Sequence, residues 1–228
     1  PFLRQADPNS ILAASLLAMV QDPDPRVRHQ LAFSLGEFRD TRTGAALMTL
    51  AHANPDEALL LDAVFSSAAQ QLRPMIQSLG TESIPPLPVL ERLVQLAAAQ
   101  GDDEALTRVV ATALKSQMPN GALTRFHALG TLLDALDHRD ASTPTRIDWS
   151  TFVPVFSHAE EVVFNFEADE PLRLAALRII GRSPGAPPIA TRRLTALLSP
   201  QNSLRWQQAV LTALQRRQEP ETVDGLVV

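Results

Sequence analysis

Apolar positions recur along the chain at steps of three and four, the spacing that gathers them on one side of an α-helix. The clearest unit is residues 22–38, DPDPRVRHQLAFSLGEF. There Val27, Leu31, Leu35 and Phe38 form the stripe, and Arg26, His29 and Glu37 lie off it. Proline lacks a backbone donor and is tolerated in a helix's first turn, so Pro25 marks a start. Asp24 before it suits an N-cap, where its carboxylate accepts from exposed amides. Gly36 near the end permits close packing or fraying.

The same reading, carried along the chain, predicts helices over 11–21, 25–38, 43–52 and 57–72, with a short one at 73–79. Further helices are expected up to Gln100 after the prolines at 85, 86 and 88, from Asp103 to about Lys115, and over 122–138. The run 7–10 reads as the cap of the first helix and 118–121 as a turn. Residues 139–148 are the least regular and mark a possible bend. The aromatic run 149–156, interrupted by Pro154, precedes helices over 158–166, 171–181, 189–199 and 202–215. A loop is expected at 182–188 and a last piece from Pro220. Strand alternation is essentially absent.

The units repeat. Arg28 precedes Gly36 by eight residues, and Arg173 precedes Gly181 by eight. Asp24 and Asp169 each stand four residues before their arginine, and Arg205 follows Arg173 by 32. A copy beginning at Pro55 lies 32 residues after the first if Asp56 is matched to Asp24, with Leu60 then in the arginine's place. Two helices per unit at a fixed period of this size are the mark of a helical solenoid.

The block Asp24–Gly36, Asp-Pro-Arg-Val-Arg followed by Gln-Leu-Ala and Leu-Gly, resembles the second helix of a HEAT repeat. The resemblance implies a right-handed α-solenoid, a superhelix of HEAT-like helix pairs covering residues 1–228 as one domain. It also implies a polar ladder between neighbouring units made by Asp24, Arg28, Asp169, Arg173 and Arg205. More narrowly, residues 22–65 and the close through Arg216 and Arg217 are similar to HEAT stretches of large exported bacterial proteins. Those proteins join a propeller sugar-dehydrogenase-like domain to a c-type haem domain. That likeness implies an exported or periplasmic setting, with any redox function in domains outside this segment. Beginning at Pro1 and not at Met, the chain reads as a piece of a longer polypeptide.

Composition changes the picture in three ways. At 228 residues and 45% hydrophobic content the chain can bury a core, and its Ala and Leu excess favours helix. Cysteine is absent, which rules out disulfides, thiolate zinc ligands, a cysteine nucleophile and covalent haem attachment in this segment. The net charge of −5 is uneven: residues 171–228 balance at +5 and the remainder at −10. The longest apolar run, ten residues from Ile11, falls short of the ~20 that span a bilayer.

Candidate chemistry is sparse. His29, His52, His127, His138 and His158 form no metal-binding pair at helical spacing. Asp134, Asp137, His138 and Asp140 cluster, but without a shaped loop they read as a solvated helix end. Glu160, Glu161, Glu167, Asp169 and Glu170 read as a wet face rather than an acid–base pair. Trp149, Phe152, Phe156, Phe164 and Phe166 read as core filling, and Trp206 suits a contact between units. The C-terminal arginines could meet phosphates, but a backbone binder must neutralise several at once and this chain is acidic overall. The expectation is therefore a non-enzymatic scaffold for a protein partner or for flanking domains, without cofactor or metal. Nucleic-acid binding through the Arg-rich end is the alternative.

Overall fold

The computed structural model describes residues 11–38, 40–79, 84–115, 121–138, 146–180, 182 and 191–216. The expected cap at 7–10, the turn at 118–120, most of the irregular stretch before Asp148, the loop at 183–188 and the piece from Pro220 lie outside them. The described chain is all-α and contains no strand. Its helices are α1 (Ile11–Ala18), α2 (Pro25–Gly36), α3 (Thr41–Ala53), α4 (Ala58–Ser67), α5 (Leu72–Gln77) and α6 (Leu87–Ala99). There follow α7 (Asp103–Leu114), α8 (Gly121–Asp137), α9 (Val153–Phe164), α10 (Glu170–Ile179), α11 (Thr191–Thr195) and α12 (Leu204–Gln215).

Local chemistry sets the starts. Asp24 accepts from the Arg26 amide at 2.8 Å and Asp40 from the Arg42 amide at 2.8 Å. Asp102 caps α7 through the Ala105 amide at 3.1 Å, and Ser203 caps α12 through that of Trp206 at 3.2 Å. Pro25, Pro88, Pro154 and Pro171 all sit in first turns, where no intrahelical donor is lost. Pro154 therefore opens a helix instead of interrupting one, and α9 runs unbroken to Phe164.

The helix expected over 57–72 is broken. After Ser67 the chain tightens into a 3-10 turn, Ala68–Gln70, and restarts as α5. Gln71 lies at the break with its side chain buried, and its Nε2 donates to the Phe38 carbonyl at 2.6 Å. A buried amide needs such a partner, so the chain turns where the partner is.

Packing follows chain order. α2 packs on α4, α6 on α8, α8 on α10 and α10 on α12, with a lighter contact of α4 on α6. In the odd-numbered series α3 packs on α5 and α5 on α7. Sequential neighbours such as α2 and α3, α6 and α7, and α9 and α10 also touch. One continuous apolar core runs from Val20 to Leu214. Phe152 and Phe156 are buried in it, Trp149 and Phe164 pack against it, and Phe166 is exposed.

Two glycines stand at closest approaches between helices. A Cβ on Gly36 would lie 3.0 Å from the Ser67 carbonyl oxygen, and one on Gly44 would lie 2.7 Å from the Met75 amide nitrogen. Any side chain at either place would push α2 from α4 or α3 from α5. Gly36 thus serves close packing.

Candidate functional site

Polar ties between successive helices recur at one sequence separation. On the even-numbered helices Arg28 Nη2 meets Glu57 Oε1 at 3.1 Å, and Arg92 Nη1 meets Asp62 Oδ1 at 2.6 Å. Gln100 Nε2 donates to the Ala69 carbonyl at 2.7 Å, and Ser203 Oγ to Glu170 Oε1 at 2.6 Å. On the odd-numbered side Gln71 reaches Phe38, Arg73 Nε reaches Asp102 at 2.8 Å and Arg193 reaches Glu160 at 2.8 Å. The hydrogen-bonded ties among these span 29 to 33 residues, the interval at which the sequence repeats.

The five residues expected to form a ladder fall into different roles. Asp24 caps α2, whereas Asp169 begins α10 with no side-chain cap bond. Arg28 donates to the carbonyls of Asp22 at 2.9 Å and Pro23 at 3.2 Å before reaching Glu57. Arg173 donates to the Val163 carbonyl from Nε at 3.2 Å and Nη2 at 3.1 Å. Its guanidinium lies over Phe166 at 4.9 Å and over Trp206, on the next even helix, at 4.2 Å. Burial lowers the Arg173 pKa, and Glu170 only partly restores it.

Arg205 is exposed and sits two residues past the α12 cap, not four. Gln207 occupies the place of Arg28 and Arg173. Its Nε2 donates to the carbonyls of Ser199 at 3.2 Å and Asn202 at 2.9 Å. In the fourth copy the residue before the helix is Glu57, so the equivalent position is Leu61, one beyond the Leu60 read from sequence.

The densest charge cluster lies across α6, α8, α10 and the end of α12. Asp134 receives Arg178 at 2.8 Å, Arg182 at 2.6 Å and Arg216 at 3.3 Å. Arg182, its side chain only 6% exposed, also holds Asp137 at 2.6 Å. Arg178 donates to Thr131 Oγ1 at 3.3 Å, and its Nη1 stands 4.0 Å from Glu91 on α6. Glu91 in turn faces His127 Nδ1 at 3.6 Å, just beyond hydrogen-bonding distance. Gly130 makes room for this arrangement: a Cβ there would lie 2.9 Å from Arg178 Cδ.

Electrostatics follow from this geometry. Burial raises the Asp134 pKa, but the hydrogen bonds and charges of Arg178 and Arg182 outweigh it and leave the carboxyl below its ordinary value. Glu91 is lowered chiefly by the facing His127, against a desolvation that raises it. Asp134 and Asp137 of the candidate cation cluster are thus held by arginines, and Asp140 lies outside the described residues.

The other candidates are separated. His29 stands edge-on to Phe33 at 5.1 Å and His158 against Phe126 at 5.4 Å. His52 faces the Ile84 carbonyl at 3.4 Å, and His138 Nδ1 donates to the Asp134 carbonyl at 2.6 Å. Glu160 is tied to Arg193 and Glu170 to Ser203, while Glu161, Glu167 and Asp169 are exposed. An open groove of about 570 Å³ is lined by Gln30, Phe33, Ser34, Ser67 and Gln70 among others and brings no acid–base pair together.

No family model, curated protein or solved structure matches this chain.

The sequence singles out Asp134 and Asp137 but not the arginines that converge on them. The bonds to Asp134 span 44 to 82 residues and so fall outside the 29-to-33-residue interval of the other ties. A partial signal existed: Asp134 and Asp137 are three apart on α8 and so share a face, whereas Arg182 lies beyond the end of the α10 helix that carries Arg178.

Proposed function

We propose that this chain is a non-enzymatic scaffold, an α-solenoid of six HEAT-like helix pairs that holds a protein partner or fixes flanking domains of the same polypeptide. The observation that carries the reading is the set of hydrogen-bonded ties at 29 to 33 residues, which links α2 to α4, α4 to α6 and α10 to α12 on one side, and the turns before α3 and α5, α5 to α7 and α9 to α11 on the other. Units that touch mainly their neighbours leave long uncovered helix faces, and such faces are what repeat proteins use to bind. The dispersal of the histidines and carboxylates among structural contacts favours binding over catalysis.

The arginines support a protein partner over nucleic acid. Arg178, Arg182 and Arg216 converge on Asp134, Arg193 pairs with Glu160, and Arg173 is stacked on Trp206. Among the described residues of the Arg-rich end that leaves Arg192 and Arg205, too few to neutralise several phosphates. Among the described residues no helix is long and apolar enough to cross a membrane.

The test is affinity capture followed by titration with the purified partner. A stoichiometric protein partner is expected. Its retention should fall at least tenfold with Phe33→Asp or Gln208→Glu, both at exposed positions, while helicity is unchanged. Turnover of an ester, glycoside or phosphate by the chain alone would contradict the reading. A salt-sensitive shift of duplex DNA would favour the nucleic-acid alternative.

A further inference from the structure

Among the described residues most ionic ties join adjacent helices of one series, but Arg178 and Arg216 reach further. Arg216, at the end of α12, donates to Asp134 on α8 at 3.3 Å and to the Arg178 carbonyl on α10, also at 3.3 Å. Arg178, on α10, stands 4.0 Å from Glu91 on α6 as well as 2.8 Å from Asp134 on α8. Each of these side chains therefore touches the helix two places away in the even series.

Packed helix axes lie about 8–10 Å apart, so helices two places apart in a flat layer would be separated by about 16–20 Å. One arginine closes that gap only if the layer curls toward the side on which the side chain lies. Curling brings the carboxylates of one helix under the guanidinium groups of the next two. The even-numbered side is then the inner side at this end of the molecule. Gly130 contributes, since any larger residue would lift Arg178 off α8.

We propose that Arg178 and Arg216, closing on Asp134, form an ionic clasp that sets the curvature of the even-numbered face, and that weakening the clasp opens it. The proposal rests on the stacked arrangement proposed above and adds to it a device that controls its shape. Opening changes the width of the inner face, and with it the partner that fits. The two arms are exposed alike, Arg178 at 30% and Arg216 at 31% of the side chain, whereas the neighbouring Arg182 is 6% exposed. Salt screens exposed charges far more than buried ones, so both arms yield before the bonds of Arg182.

The absence of cysteine makes the test direct. Gln95→Cys on α6 and Gln208→Cys on α12 place two spin labels at exposed sites of the even series. The distance between them is measured by pulsed electron resonance. Arg216→Gln is expected to lengthen the mean distance by about 5 Å, roughly half a helix spacing, at unchanged helicity. Raising salt to about 1 M, where the Debye length falls to about 3 Å, should do the same to the otherwise unsubstituted chain. Arg193→Gln, which removes only a tie between adjacent helices, should leave the distance unchanged. An unaltered distance in both the folded Arg216→Gln chain and high salt would overturn the clasp. Should that variant fail to fold, the salt titration decides alone. Neither result depends on whether any partner binds, so failure of the clasp and failure of the scaffold reading are separately visible.

Discussion

Arg28 Nη2 lies 3.1 Å from Oε1 of Glu57, the residue that precedes the next helix of its series, 29 positions along the chain. The same guanidinium donates to two carbonyls of the turn before its own helix. It therefore joins one turn to the next, and its stem is largely covered, with 14% of the side chain exposed.

Replacing Arg28 tests that join. Hydrogen bonds to charged groups are each worth about 1.5–3 kcal/mol, so Arg28→Ala should cost at least that range in urea denaturation. Arg28→Lys should recover less than half of the loss, because an ammonium cannot address two carbonyls and a carboxylate as a planar fork does. Glu57→Gln should cost no more than about 1 kcal/mol, since its side chain is 45% exposed.

The glycines at the helix crossings give a second expectation. Gly44→Val places side-chain atoms against the backbone of α5 and should destabilise by about 1–3 kcal/mol, the usual cost of overpacking. Gly36→Val should behave alike through Ser67. Gly101→Ala should cost about 1 kcal/mol for a different reason: Gly101 has φ of +67° at a helix end and meets no atom nearby. Thermal melts of the three variants separate steric from conformational cost.

Stability should fall at acid pH. Desolvation raises the Asp134 and Asp102 pKa values, yet hydrogen bonds and charge leave both below the ordinary carboxylate value. Asp40 is lowered chiefly by hydrogen bonding to Arg42. A carboxyl whose folded pKa is depressed stabilises fully above its unfolded value, about 3.9 for Asp, and loses that contribution as pH falls through the folded value. Stability measured against pH should therefore be flat above about pH 5 and decline below it. Asp134→Asn should be less stable than the parent at pH 7 and should lose less on acidification.

Much of the fold was legible because the caps and stripes are local. Asp24 before Pro25 and the alternation of apolar steps mark α2 without any knowledge of its neighbours. The errors arose where tertiary contacts decide. Pro154 looked like an interruption because sequence alone does not tell a first turn from an interior. Arg205 was matched to Arg173 by residue type, whereas counting from the caps at Asp169 and Ser203 leads to Gln207. Gln71 breaks a helix only because the Phe38 carbonyl, 33 residues earlier, lies beside it.

Packing mainly between neighbours should make the chain divisible. Residues 1–115 include α1 to α7, whose main packing neighbours lie within that segment except for α8, which α6 and α7 both meet. This fragment should keep cooperative urea unfolding with a reduced midpoint, because a stack loses one interface when cut. A closed core would lose its structure altogether.

Small-angle X-ray scattering of the whole chain tests the tandem arrangement most directly. A globule of 228 residues has a radius of gyration of about 17 Å. Six layers spaced by about 10 Å make a body about 60 Å long, so the account predicts a radius clearly above 17 Å and a skewed, extended distance distribution. A radius at 17 Å with a symmetric distribution would contradict it.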